Sequence, residues 1–169
     1  MMNQTHIVEK ARIFATAAHA AVGQLRKYTN EPYIVHPMEV ASIVGTVPHT
    51  DAMIAAALLH DVIEDTQVSV GTVYNEFGHE ITNLVVWLTK VSNPDDGVRA
   101  VRKELDRKYL AMAPADAQTV KLADLIANTS SIVERDPEFA KIYLKEMASL
   151  LDVLTRGDRV LWQRAYKLT

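Results

Sequence analysis

Four side chains able to bind a cation or carry a proton close an otherwise apolar segment, Ala57-Leu58-Leu59-His60-Asp61-Val62-Ile63-Glu64-Asp65-Thr66. Residues 52–59 are helix formers and apolar enough for a core, so the polar group that follows sits at the mouth of something buried. On one continuous helix His60 and Glu64 are four apart, as are Asp61 and Asp65, which puts all four on adjoining stripes of one face. Three carboxylates crowded in this way repel one another unless a cation stands among them. The competing reading is a core histidine followed by a solvated acidic turn. It is weaker, because acids at a helix C-terminus oppose the macrodipole and no basic residue follows nearby to compensate. The segment predicts a metal site.

The elements that must position it are helical. Periodicity predicts a first helix over 4–22 with Ile7, Ala11, Phe14, Ala18 and Ala21 as its buried stripe, ended by Gly23 and a polar loop over 24–33. Pro37 suits a first helical position, so a second helix should start at His36 and run to about 47. The core helix is expected over 51–64 with Thr50 as N-cap. Ser69 should cap a short helix ending before Gly78, and a longer one should cover 79–90. After the loop Ser92-Asn93-Pro94-Asp95-Asp96-Gly97, helices are expected over 99–112, 115–134, 137–154 and 159–166. No sustained apolar and polar alternation marks a strand, and no repeat or linker divides the chain. The expectation is an all-α fold, a single helical-bundle domain over 1–169.

Composition narrows the chemistry. The chain has 169 residues, 49% of them hydrophobic and 23% charged, as in an ordinary globular protein with one substantial core. It contains no cysteine, which excludes disulfides and thiolate-held zinc and leaves nitrogen and oxygen ligands. The N-terminal residues lack the pattern of a secretory signal and no segment is apolar enough to cross a membrane, so a cytoplasmic protein with no membrane partner is expected. A net charge of −3 without a dominant basic face argues against nucleic acid as a partner. A polyanionic small ligand would need cations fixed locally.

His60 and Asp61 alone would leave a metal under-coordinated. Two further candidates are His36, reached through the apolar Tyr33-Ile34-Val35, and Asp124, set in Val120-Lys121-Leu122-Ala123-Asp124-Leu125-Ile126-Ala127-Asn128. Each has an ordinary alternative, His36 as a helix cap and Asp124 as the partner of Lys121 one turn earlier. Together they complete a two-histidine, two-aspartate set with positions left for water and substrate.

The order His36, His60-Asp61, Asp124 resembles that of the HD superfamily of metal-dependent phosphohydrolases. The flanking residues Gly23-Gln24, Arg26-Lys27, Glu31-Pro32-Tyr33-Ile34-Val35-His36-Pro37, Ala57-Leu58-Leu59-His60-Asp61, Glu64-Asp65-Thr66, Phe77-Gly78, Thr89-Lys90 and Lys121-Leu122-Ala123-Asp124 with Asn128 resemble the hydrolase domain of RelA/SpoT-type alarmone enzymes. The likeness covers roughly 11–143. Because the chain ends with that domain, it is similar to the small alarmone hydrolases. The resemblance implies removal of the 3′-pyrophosphate from guanosine tetra- or pentaphosphate, leaving GDP or GTP, with manganese as the usual metal and another divalent ion possible. It implies His36, His60, Asp61 and Asp124 as ligands and Glu64 and Asp65 as the catalytic pair. It also implies Arg26 packed on the base, Lys27 near phosphate, and Asn128, Ser131 and Tyr143 beside the nucleoside. Lys90 and Lys121 are possible phosphate contacts.

The match departs in two places. One extra residue separates Arg26 from His36, where Tyr28-Thr29-Asn30 replaces a shorter turn, and Leu125 with Ala127-Asn128-Thr129-Ser130 replaces a run carrying two basic side chains. Those changes leave adenosine alarmones, another nucleotide or NADPH open as substrates beside the guanosine ones. A nucleotide-sensing module without turnover is a further reading, against which Glu64 and Asp65 stand. His19 could buttress the site from the first helix or be a satisfied core histidine.

Overall fold

The computed structural model describes residues 4–169, which are helical apart from turns and one isolated bridge between Leu25 and Pro32. The helices divide into two compact units, residues 1–89 and residues 90–169.

In the first unit α3 (Asp51–Leu59) is the centre, packing against α1 (Gln4–Ala21), α2 (Val35–Val44) and α5 (Val70–Leu88). Its sequence explains this: Met53, Ala55, Ala56, Ala57, Leu58 and Leu59 are all buried, and the alanines let neighbouring backbones come close. Burial of Leu59 alone is worth about 2 kcal/mol. Thr50 caps α3 by accepting from the Met53 amide at 3.2 Å, as its position predicts. Ser69 caps α5 by accepting from Thr72 at 3.1 Å, and Gly78, at φ 78° and ψ 179°, breaks that helix in two where the sequence places a boundary.

Two expectations fail in informative ways. The continuous helix over 51–64 does not form, since α3 stops at Leu59 and a separate turn, α4 (Val62–Asp65), follows with Asp61 at φ −99° and ψ −3°. The buried stripe of α1 is Ala11, Ala15 and His19, while Ala21 is exposed. The helix ends in a Schellman turn, with the Gly23 amide donating to Ala20 (3.0 Å) and the Gln24 amide to His19 (3.1 Å), which lifts Ala21 off the core. Gly23, at φ 65°, supplies the left-handed residue this turn requires.

The second unit consists of a short 3-10 turn over Pro94–Asp96, α6 (Arg99–Ala111), α7 (Ala115–Arg135), α8 (Pro137–Leu151) and α9 (Arg159–Tyr166). Helix α7 is its core, packed against α8 and α9. Gln118, with no exposed surface, ties three segments together: its amide donates to the carbonyls of Leu110 (3.0 Å) and Val153 (3.3 Å) and accepts from the Arg156 amide (2.9 Å). Gln118→Leu keeps the volume and strands those backbone groups, so a loss of about 2–3 kcal/mol is expected in urea denaturation, with an unchanged slope.

Candidate metal centre and active site

The helix break is where the first unit gathers its candidate ligands. His60 caps α3, and its Nδ1 lies 2.7 Å from the Ala57 carbonyl. A carbonyl can only accept, so Nδ1 carries a hydrogen, and in the neutral imidazole Nε2 presents a lone pair. That Nε2 stands 3.1 Å from Asp61 Oδ2, and His36 Nε2 stands 3.9 Å from the same oxygen. The two imidazoles are 1% and 3% exposed, with ring centroids 5.3 Å apart and ligand atoms within 4.8 Å of one another. A lone pair aimed at a carboxylate oxygen inside a buried pocket is repulsive until a cation is shared between them. The residues therefore fit a divalent metal: His36, His60 and Asp61 form a His/His/Asp group of borderline and hard donors.

Tyr33 holds the carboxylate in place, its hydroxyl donating to Asp61 Oδ2 at 2.5 Å. In the sequence Tyr33 stands out only as part of a motif, with no task of its own. Outer partners of this kind orient a ligand and tune its charge.

Beyond the break, α4 keeps Asp61 and Asp65 one turn apart, with the Asp65 amide donating to the Asp61 carbonyl at 2.9 Å. Glu64 is exposed on the same turn. Asp65 Oδ2 accepts from Gln24 Nε2 at 3.0 Å. The carboxyl of Asp65 is raised above its ordinary value, chiefly because it is partly withdrawn from water; Gln24 opposes the shift, and the charges of Asp61 and Glu64 add to it. A carboxylate with a raised pKa is a better base at neutral pH.

Arg26 and Lys27 lie on the loop after α1. The Arg26 amide donates to the Glu31 carbonyl at 2.8 Å, Asn30 closes the turn in the left-handed region at φ 57°, and the Lys27 ammonium sits 4.9 Å from the Tyr28 ring centroid. In the second unit Asp124 is a buried acid on α7, its Oδ2 accepting from Lys121 at 2.7 Å and its Oδ1 from Asn128 at 2.9 Å. Ser131 is half-buried one turn beyond Asn128, and Lys90 is exposed. The hydroxyl of Tyr143 donates to the Leu125 carbonyl at 3.1 Å, and burial, with Asp124 nearby, pushes its ionisation far up. That hydroxyl is committed to the backbone of its own unit.

The fold is all-helical, and the chain belongs to the HD domain family, which it matches over residues 11–154. It is 37% identical over 166 residues to a probable guanosine-3′,5′-bis(diphosphate) 3′-pyrophosphohydrolase of Synechocystis sp., with 96% of this chain and 21% of that protein covered. It is 36% identical over 162 residues to a GTP pyrophosphokinase of Myxococcus xanthus, covering 92% of this chain and 21% of that one. The chain thus spans about a fifth of the length of these curated relatives. Among solved structures, one described as a metazoan orthologue of SpoT that hydrolyses ppGpp and plays a role in starvation responses superposes with a TM-score of 0.85 at 25% identity, covering 96% of this chain and 93% of the other. A Listeria monocytogenes EGD-e structure shares the fold, with a TM-score of 0.67 at 20% identity and 83% and 96% of the two chains covered. No helix among the described residues is long and apolar enough to cross a membrane.

The raised Asp65 carboxyl has a consequence for stability. Folding favours its protonated form, so ionisation destabilises the metal-free fold fully above the raised pKa and not at all below the ordinary value of 3.8. Metal-free Asp65→Asn should melt higher than its parent at pH 7, and the difference should vanish towards pH 3 when both are followed by circular dichroism.

Proposed function

We propose that the protein is a cytoplasmic, manganese-dependent hydrolase that removes the 3′-pyrophosphate from guanosine tetra- or pentaphosphate, releasing GDP or GTP and pyrophosphate. The observation that carries this reading is the buried His36, His60 and Asp61 cluster with Glu64 and Asp65 on the next turn, in a chain so similar to proteins named for that reaction. The likeness to the HD family runs over 11–154, which supports a single HD hydrolase domain.

His36, His60, Asp61 and Asp124 would hold the metal, with Lys121 and Asn128 fixing the Asp124 carboxylate. When bound, the cation lowers the pKa of water and draws off charge developing on the phosphate. Asp65, raised and held by Gln24, takes the proton from the attacking water, and Glu64 on the same exposed turn orients it. Arg26 can stack on the base and Lys27 can meet phosphate, supplying the local cations that an acidic protein of net charge −3 needs for a polyanionic nucleotide rather than a nucleic acid. Asn128 and Ser131 would face the nucleoside, with Tyr143 supporting them from behind.

An adenosine alarmone is the second reading. It is favoured by the longer loop closed through Asn30 and by the buried apolar Leu125, which replace the turn and a basic side chain of the family pattern.

Manganese-loaded protein should release pyrophosphate from guanosine tetraphosphate. Adenosine tetraphosphate and NADPH tested in parallel rank the alternatives, and release from neither tetraphosphate would overturn the reading. His60→Ala should lose stoichiometric metal by elemental analysis. Glu64→Ala and Asp65→Ala should keep the metal and lose turnover by about 100-fold or more.

A further inference from the structure

His19 lies in the buried stripe of α1 and is 1% exposed, yet it is not simply packed. Its Nδ1 is 2.7 Å from Gln24 Oε1, and Gln24 Nε2 is 3.0 Å from Asp65 Oδ2. A carboxylate can only accept, so the Gln24 amide must turn its NH2 to Asp65 and its oxygen to His19, which requires the hydrogen of His19 on Nδ1. The other nitrogen, Nε2, is buried with no hydrogen-bond partner among the described residues. A buried lone pair left in that state costs stability, so packing alone does not account for a histidine here. The backbone fixes the intermediary as well. The Gln24 amide donates to the His19 carbonyl at 3.1 Å, and the Gln24 carbonyl accepts from Tyr33 at 3.3 Å. The His19 ring also lies 4.7 Å from the ring of Tyr33, whose hydroxyl holds Asp61.

We propose that His19 and Gln24 are positioning residues for the proton-accepting carboxylate: the relay from His19 Nδ1–H through the Gln24 amide to Asp65 Oδ2 fixes the orientation of Asp65 and leaves Oδ1 for the attacking water. The inference rests on the reading of Asp65 as the base. It adds two residues that touch neither metal nor reacting atoms and that set where the base points.

His19→Phe keeps a ring against Tyr33 and removes the donor, whereas His19→Asn returns an N–H near the Nδ1 position. With full metal occupancy in each, His19→Phe and Gln24→Leu should each lower kcat on the tetraphosphate about tenfold with KM within about twofold, and His19→Asn should regain most of the loss. Unchanged kcat in Gln24→Leu, or a folded His19→Asn no better than His19→Phe, would overturn the proposal. A second measurement needs no substrate. In long-range proton–nitrogen spectra of the full chain with magnesium in place of manganese, His19 should be the Nδ1–H tautomer, and Gln24→Leu should abolish that preference. An Nε2–H tautomer in the parent refutes the relay. If the parent hydrolyses neither tetraphosphate, the proposed function falls, and the tautomer alone decides the relay.

Discussion

One hydrogen bond organises the centre of the first unit, that between His60 Nδ1 and the Ala57 carbonyl. It sits where α3 ends, and it decides which imidazole nitrogen keeps a lone pair. With Nδ1 occupied, Nε2 must face Asp61, and the chain must leave the helix for Asp61 to reach back. His36, entering from the start of α2, then meets the same oxygen. A side chain bonding its own helix is ordinarily a minor local event. Here it sets the donor face of the pocket, and the crowd of like charges beyond it follows.

Asp61 and Asp65 are served by different supports. Asp61 is steadied by Tyr33 from the loop before α2, and Asp65 by Gln24 from the end of α1. Both supports come from the segment between α1 and α2, which the sequence marks as irregular. Irregular segments so often carry binding groups because a rigid scaffold holds their ends while their backbone is free to aim side chains. The small bridge between Leu25 and Pro32 and the bonds from Arg26 to Glu31 and from Tyr33 to Gln24 give this loop that rigidity.

Much of this was legible in residue types and spacing. Helix ends marked by Thr50, Ser69 and Gly78 fall where those residues predict, because caps and left-handed glycines act locally. The all-helical class followed from periodicity. The break after Leu59 was not legible, since 52–59 and the acids beyond it fit one helical pattern, and the cause is a side-chain bond that periodicity does not encode. The choice between buttress and core histidine for His19 was not legible, for a related reason. Its spacing of four and eight from Ala15 and Ala11 makes it one more member of an apolar stripe, and only the Schellman turn, which brings Gln24 back over it, distinguishes it. The Gly23-Gln24 pair was the available signal, a glycine ending a helix with a polar amide directly after it.

The Schellman turn at Gly23 has a further effect, on the thermal behaviour of the protein. Helix termini are the first parts of a helix to fray, at a free energy far below that of global unfolding. The end of α1 and the Schellman turn that follows it present His19 and Gln24, whereas His36, His60 and Asp61 are held by other elements. Opening that turn would free the Asp65 carboxylate from Gln24 and would loosen Tyr33, whose amide bonds Gln24 and whose hydroxyl holds Asp61. On warming, this support of Asp65 would be lost while the rest of the chain is still folded, and would return on cooling.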